Sequence, residues 1–397
     1  MDDKQNDVVI VASKRTPIGQ YQGCFSSLSA PALASVAIQA SLNEIQLAPT
    51  DIGEVLMGCV LPAGIGQAPA RQASIQAGIP DHVGATTLNK MCGSGMKAMM
   101  LGHDLLKAGS QSIVIAGGME SMTNAPYLLL KARQGYRMGH GTMYDHMFLD
   151  GLEDAYDKGK LMGVFAEQCV EKYGFSRQMQ DEFALSSLQR AKKAITDKSF
   201  HAEIAAVTIH HKIEQLTIID DELPGKAKPE KITTLKPAFK ENGTVTAANA
   251  SAISDGACAH IMMLREEASK RKLTPLAKIV AHATHAQAPA WFTTAPIHAI
   301  SKVLVQTGWK IEDVDLFEVN EAFACVTLAA MKDLNIPLEK MNIHGGACAL
   351  GHPIGASGAR IVTTLIYALK QYGLKKGIAA LCIGGGEATA IAIELQG

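Results

Sequence analysis

Apolar positions along this 397-residue chain fall into two alternating rhythms, and the alternation runs twice. Near the start, VVIVASKRTP opens on an apolar run of the strand type. The following stretch, PALASVAIQASLNEIQLAPTDI, puts Leu33, Val36, Ala37 and Ala40 on one helical face. EVLMGCV, after Asp51, predicts the next strand, and a further helix stops at A-G-I-P, ending at Pro80. The same series returns downstream. AKIVAHAT reads as a strand, and PIHAISKVLVQTGWKIEDV as a helix with Ile300, Val303 and Leu304 on one face. VDLFEV, after Asp313, predicts a strand, and the helix after it stops at L-N-I-P, ending at Pro337, 257 residues beyond Pro80.

The two copies continue in step. TTLNKMCGSGMKAMMLGHDLLKAG leads into SIVIAGGME, and NIHGGACALGHPIGASGARIVTTLIYALKQYG leads into IAALCIGGGE. Each supplies a strand, a glycine-rich turn, a helix opening at Ser-Gly and an apolar strand ending in glycines. The pattern predicts an α/β fold of two similar β-α-β halves with mostly parallel, doubly covered sheets. Right-handed crossovers place strand C-termini and helix N-termini on one side, where sites in open α/β sheets form. The first half spans residues 1–121 together with 251–273, and the second spans 274–397.

Residues 122–250 do not repeat. They are rich in Met, Tyr, Gly and charge, and contain a helix over FSRQMQDEFALSSLQRAKKAI with Ser176 as its N-cap. A polar stretch, GKAKPEK, follows. This inserted domain is expected to be a lid or substrate-recognition element, because long insertions in compact folds are usually functional. The competing reading is a connecting or oligomerisation segment.

Composition narrows the picture. A hydrophobic content of 47% supports large cores, and a net charge of −1 gives no basic field for nucleic acid. The N-terminal MDDKQNDVVIV lacks a signal-peptide pattern, and no run of about 18 apolar residues predicts a membrane span. A cytoplasmic location is the expectation. The eight cysteines form no C-x-x-C pair, which disfavours zinc ribbons and thioredoxin-like motifs. Without a secretory signal, a disulfide framework is also disfavoured, and most are expected to pack as small hydrophobes.

Two cysteines stand apart. Cys92 precedes Gly93-Ser94-Gly95 and a long apolar helix. The N–H groups and positive dipole end of that helix are expected to stabilise its thiolate. The same Gly93–Ala98 stretch also matches a dinucleotide fingerprint with Glu120 as ribose acid, a weaker reading that leaves the cysteine idle. Cys382 ends the last glycine-flanked strand, where the backbone N–H groups of Gly384-Gly385-Gly386 are natural oxyanion donors. His352 lies in A-L-G-H-P-I-G, in the copy opposite Cys92, and packing of the halves about a pseudo-dyad brings these loops together. Asn320 ends VDLFEV and is either an N-cap or an amide aimed at the site edge. His282 and His285 are three apart but lack a nearby third ligand, so a surface role and no metal are expected. His210 and His211 read as a solvated strand edge.

At this point the motifs resemble a family. N-K-M-C-G-S-G-M-K-A, A-G-G-M-E-S-M, G-T-V-T-A-A-N-A-S, N-E-A-F, G-H-P-I-G-A-S-G-A-R and C-I-G-G-G are similar, in this order across the chain, to those of the thiolases, nearest to acetoacetyl-CoA thiolases. The resemblance implies a five-layer αβαβα core, an inserted loop domain, usually a tetramer, and interconversion of two acetyl-CoA with acetoacetyl-CoA and CoA. It implies no cofactor beyond coenzyme A as substrate and product. It assigns Cys92 as acyl acceptor, His352 as its activator and, with a water held by Asn320, as binder of the thioester oxygen. Cys382 becomes the proton carrier, and the Cys92 and Gly384 N–H groups a second oxyanion hole. Ser251 contacts the pantetheine arm, and Leu152, Met162, Phe239, Ala322 and Phe323 line its tunnel.

Some positions depart from the family pattern. Leu161 stands where short-chain members often have His, His344 replaces an Asn, and Glu387 follows the glycine run. In place of the family's basic CoA contact in the loop domain, Lys226 or Lys228 is expected to serve. A broader 3-ketoacyl-CoA thiolase of fatty-acid β-oxidation is the alternative. A decarboxylating ketosynthase wants a histidine at position 320 and no cysteine at 382. A non-enzymatic acyl-CoA binder is expected to have lost Cys92, His352 or Cys382.

Overall fold

The computed structural model describes residues 3–211 and 214–396. The first half comprises β1 (Val8–Arg15), α1 (Ala30–Glu44), β2 (Glu54–Gly58), α2 (Pro69–Gln76), β3 (Gly84–Leu88), α3 (Ser94–Lys107) and β4 (Ile113–Ser121). The insertion contributes α4 (Met162–Tyr173) and α5 (Arg177–Thr196) before β5 (Ser254–Leu264) rejoins the core. The second half holds β6 (Ala277–Ala286), α6 (Ala295–Thr307), β7 (Leu316–Val319), α7 (Ala324–Leu334), α8 (Ile354–Gln371), β8 (Lys376–Ile383) and β9 (Glu387–Leu395).

The strands follow the order β7-β8-β9-β6-β1-β5-β4-β2-β3. The halves join where β1 meets β6, paired only at Val9–Lys278 and Ile10–Ala277. α1 and α2 cover one outer face, α6 and α7 the other, and α3 and α8 fill the middle against strands of both halves. The result is the αβαβα layering. The expectation of mostly parallel sheets is corrected: only β2–β3, β2–β4 and β7–β8 are parallel. Three residues, Gly384–Gly386, separate β8 from β9, and so short a link permits only an antiparallel neighbour.

The repeat is also imperfect. The counterpart of β3 in the second half shrinks to a single bridge between Phe317 and Met341. The Asn342 side chain takes the place of the ladder, accepting from Val319 N at 2.9 Å and donating to Val319 O at 2.8 Å. α8 starts one turn before its Ser-Gly, directly after Pro353. On α1 the buried stripe is Leu33, Ala34, Ala37, Ile38 and Ser41, with Val36 and Ala40 at its margin. On α6, Ile300 and Val303 are buried as expected.

Glycine sets the central crossing. A Cβ on Gly95 of α3 would lie 3.0 Å from Ala359 N, and one on Gly358 of α8 2.6 Å from Met96 N. The two helices therefore touch backbone to backbone near their starts. Cys92 and His352 each sit two residues before the first residue of one of these helices, so this crossing draws them together.

The insertion is anchored by a buried cation. Arg15 pairs with Glu203 at 2.5 Å and Asp221 at 2.7 Å, and its guanidinium stacks 4.9 Å from the Phe200 ring. Ser176 caps α5, accepting from Met179 N at 3.1 Å. The strand Val207–His211 pairs with Glu214–Ile218; the side chains of His210 and His211 lie outside the described residues. No described helix is long and apolar enough to cross a membrane.

Candidate active site

A cavity of about 430 Å³ opens where the two central helices begin, between the halves and beneath the insertion. Cys92, His352, Cys382 and Gly384 line it together, as do Ser251, Leu152, Met162, Phe239, Ala322 and Phe323. Of the catalytic, oxyanion and tunnel residues that the resemblance assigns, Asn320 is the one absent from this lining.

Cys92 stands on a tight turn rather than on the helix itself. Met91 holds a left-handed backbone, φ 47°, which is costly for a residue with a side chain. The turn is pinned from both sides: Asn89 Oδ1 accepts from Met91 N at 2.9 Å, and Ser94 Oγ accepts from Lys90 N at 2.8 Å. The Gly384 N–H and the residue's own N–H both hydrogen-bond the Cys92 sulfur, which favours its thiolate. Burial outweighs them and pushes the thiol up to about 11. The backbone N–H stabilisation expected from the sequence is present, but burial overrides it. The helix start helps, but a dry apolar pocket disfavours charge more strongly. The resting group is a thiol, and it needs a base.

His352, on the same cavity, is the candidate. Its Nδ1 lies 2.6 Å from Ser357 Oγ, and that hydroxyl donates to Pro353 O at 2.9 Å. Its Nε2 is buried without a hydrogen-bond partner. Burial, helped by the Arg360 charge, lowers its pKa to about 3, so the imidazole is neutral. Cys382 lies in β8, buried, with its thiol held well above the ordinary range by burial and by Cys92.

Asn320 follows β7 directly and is not an N-cap, since α7 starts at Ala324 behind Phe323. Arg360 Nη2 lies 3.5 Å from its Oδ1, while its Nδ2 is buried without a partner.

The channel wall is aromatic. Phe323 meets Phe239 edge-on at 6.0 Å and Phe292 at 6.4 Å. Phe239 lies so close over Gly163 that a Cβ there would be 2.2 Å from its ring. Ser251 N bonds Ala322 O at 2.9 Å, and His352 N bonds Ala252 O at 3.0 Å, so residues 250–252 join three motifs. A smaller cavity of about 230 Å³ adjoins it, sharing Leu223 and Ala247 and lined by Lys228 and Lys231. Lys226 instead pairs with Glu222 at 2.5 Å.

Other residues noted in the sequence find definite places. Glu120 is no ribose ligand: it is fully buried and accepts from Val60 N, Leu61 N and Gly355 N at 2.9–3.1 Å. Glu387 forms an ion pair with Lys90 across the two halves. His282 does have a third partner, because His103 and Asp104 of α3 reach it. His285 instead contacts Gln287 at 3.1 Å. Sequence reasoning missed Ser357, although its place five residues after His352, one helical turn along, is the available signal. It also missed Gln20, Tyr21 and Phe292 in the cavity wall, which carry no local motif.

Residues 8–266 match the family profile described as "Thiolase, N-terminal domain", and residues 273–395 match "Thiolase, C-terminal domain". The chain is 46% identical to "Acetyl-CoA acetyltransferase IA" of Candida tropicalis, covering 98% of this chain and 97% of that protein. It is 47% identical to "Acetyl-CoA acetyltransferase 2" of Arabidopsis thaliana, again over 98% and 97%. The crystal structure of the Bacillus anthracis acetyl-CoA acetyltransferase superposes with a TM-score of 0.96 at 39% identity, covering 98% of this chain and 99% of that one. With the two thiolase profiles covering nearly the whole chain and these relatives alike over nearly its full length, this chain belongs to the thiolase family.

Proposed function

We propose that the chain is an acetyl-CoA C-acetyltransferase, interconverting two acetyl-CoA with acetoacetyl-CoA and free CoA through an acyl-cysteine. The observation that carries this reading is the convergence of a protonated Cys92, a neutral His352 with a bare Nε2, and Cys382 on one apolar cavity. Relatives bearing that name, alike over nearly the full chain, support it.

The steps balance as follows. His352 Nε2 takes the Cys92 proton, and the sulfur attacks the acetyl thioester carbon. The Cys92 and Gly384 N–H groups hold the developing oxyanion. CoA leaves as thiolate and takes the Cys382 proton. The Cys382 thiolate then removes the α-proton of a second acetyl-CoA. The His352 imidazolium and an Asn320-held water stabilise the resulting enolate oxygen. The enolate carbon attacks the acyl group on Cys92, and the departing sulfur regains its proton from His352. Both a base and an oxyanion site are needed because the acetyl α-proton is a weak acid.

The aromatic wall at Phe239 and Phe323 suits the pantetheine arm, and Lys228 and Lys231 beside it suit the CoA phosphates. The insertion, residues 122–250, acts as the lid of this tunnel, with Leu152, Met162 and Phe239 in the cavity wall. A homotetramer fits the large apolar side chains left exposed on the same insertion, Tyr127, Leu130, Met138 and Met143 among them. A cytoplasmic place in lipid metabolism, with 1–121 plus 251–273, 122–250 and 274–397 as domains, completes the reading. The broader 3-ketoacyl-CoA specificity is not favoured.

The test follows acetoacetyl-CoA consumption in the presence of CoA. Cys92→Ser is expected to abolish it, and Cys382→Ser to keep acyl-enzyme formation while losing condensation. Full activity in Cys92→Ser sinks the reading. A panel of longer 3-ketoacyl-CoA substrates checks chain length.

A further inference from the structure

α3, whose N-terminus carries the Cys92 turn, ends near a polar cluster that the reaction does not use. His103 and Asp104 belong to α3, and His282 to β6 of the other half. His103 Nδ1 and Asp104 Oδ1 are 3.0 Å apart, and His282 Nε2 is 3.1 Å from each of them. The three atoms form a nearly equilateral triangle. The imidazoles meet edge-on, with centroids 4.8 Å apart and planes at 85°. Both rings are largely covered, while Asp104 is about half exposed. Among the described residues, no other three His, Cys, Asp or Glu side chains converge in this way.

Hydrogen bonds cannot satisfy that triangle. A carboxylate oxygen only accepts, and an imidazole nitrogen either donates or accepts. With both nitrogens protonated, two N–H donors oppose each other at 3.1 Å. With one protonated, a bare nitrogen opposes the carboxylate oxygen. With Asp104 ionised, every assignment leaves one edge repulsive, and a cation seated over the triangle removes the conflict by using all three lone pairs.

We propose that His103, Asp104 and His282 bind a divalent transition-metal ion of the zinc class. Metal–ligand distances of about 2.0–2.2 Å placed over this triangle give ligand–metal–ligand angles of about 90–100°, near those of an octahedral face and short of a tetrahedron. Two imidazoles and one carboxylate suit Zn²⁺, Co²⁺ or Ni²⁺, whereas Mg²⁺ and Ca²⁺ want oxygen ligands and Cu⁺ wants sulfur. Water from the Asp104 side completes the coordination. The nearby Lys97 charge, felt at His282, opposes the cation and limits affinity. The ion straps the far part of the nucleophile's helix to the second half, and so contributes stability rather than chemistry.

The test is titration of the metal-stripped full-length protein with Zn²⁺ and Co²⁺, followed by calorimetry, visible absorption and thermal melting. One equivalent per chain is expected, with a raised melting temperature. Both effects disappear in His282→Ala and His103→Ala, while acetoacetyl-CoA thiolysis continues. The eight free cysteines also attract zinc. Bound Co²⁺ should therefore show d–d bands without a thiolate charge-transfer band. Binding that survives both histidine variants, or that is lost in Cys92→Ser instead, overturns the proposal, as does the lack of any saturable equivalent. Should His282→Ala fail to fold, Asp104→Asn carries the test, with affinity expected to fall about tenfold or more.

Discussion

His352 Nδ1 and Ser357 Oγ are 2.6 Å apart, and the direction of that bond decides what the other side of the ring can do. A serine hydroxyl has one proton, and Ser357 gives it to Pro353 O. Its oxygen must then accept from Nδ1–H, so Nε2 carries the free lone pair. Ser357→Ala releases both ring orientation and tautomer. Thiolysis kcat should fall about ten- to a hundredfold with KM little changed, the range seen when a histidine's orienting partner is lost. Rapid-quench measurement should place the loss in acylation of Cys92. An unchanged kcat would mean that Ser357 only packs.

Gly163 is the floor under Phe239. An added Cβ lies 2.2 Å from the ring, so Gly163→Ala must push Phe239 out of its edge-on contact with Phe323. Overpacking of this kind costs about 1–3 kcal/mol. The expected result is a raised KM for acetyl-CoA with the acylation chemistry retained at saturation, checked by steady-state kinetics. Phe239→Ala in the same background should restore folding stability but not KM.

Lys90 and Glu387 tie the strand end before Cys92 to the strand start after Cys382, across the two halves. Both are partly exposed, so the pair contributes only about 0.2–1 kcal/mol of stability. Glu387→Gln should lose that amount in urea unfolding, and the difference should shrink in about 1 M salt as the charges are screened. A modest, few-fold drop in kcat is expected from looser registration of the two loops. A salt-independent stability loss would point to packing instead.

His344 is buried against Phe200, and burial lowers its pKa to about 4, below the ordinary 6.5. The unfolded chain therefore binds a proton first as pH falls, so stability is present above about 6.5 and drains away towards pH 4. At pH 5 this single group costs about 2 kcal/mol relative to pH 7. In His344→Asn, the stability lost between pH 7 and pH 5 should be smaller by roughly that amount. Equal losses in the two proteins would place the proton elsewhere, for example on His260, which is also buried and lowered to about 4.

Much of this was legible before any coordinates. The two copies, their strands and helices, and the cysteine and histidine motifs are written in short-range periodicity and glycine placement. Ser176 capped its helix as read, because a cap depends on neighbours three residues away. The errors share a different cause. The β-α-β pattern predicts mostly parallel strands, but the β8–β9 hairpin is antiparallel, because a three-glycine link in the sequence reads equally as a site loop. His282 was set aside for want of a ligand because His103 and Asp104 lie some 180 residues earlier.

The sequence by itself determined which residues are nucleophilic, basic and flexible, and that they come in two matching sets. Tertiary structure alone decided that the sets meet, through the glycine crossing of α3 and α8. It also decided the charge states there: a thiol rather than a thiolate at Cys92, and a bare Nε2 rather than an imidazolium at His352. Local spacing fixes dipoles and caps, but desolvation is a property of everything packed around a group. In this pocket burial is the largest influence on both residues, and it raises Cys92 to about 11 and lowers His352 to about 3.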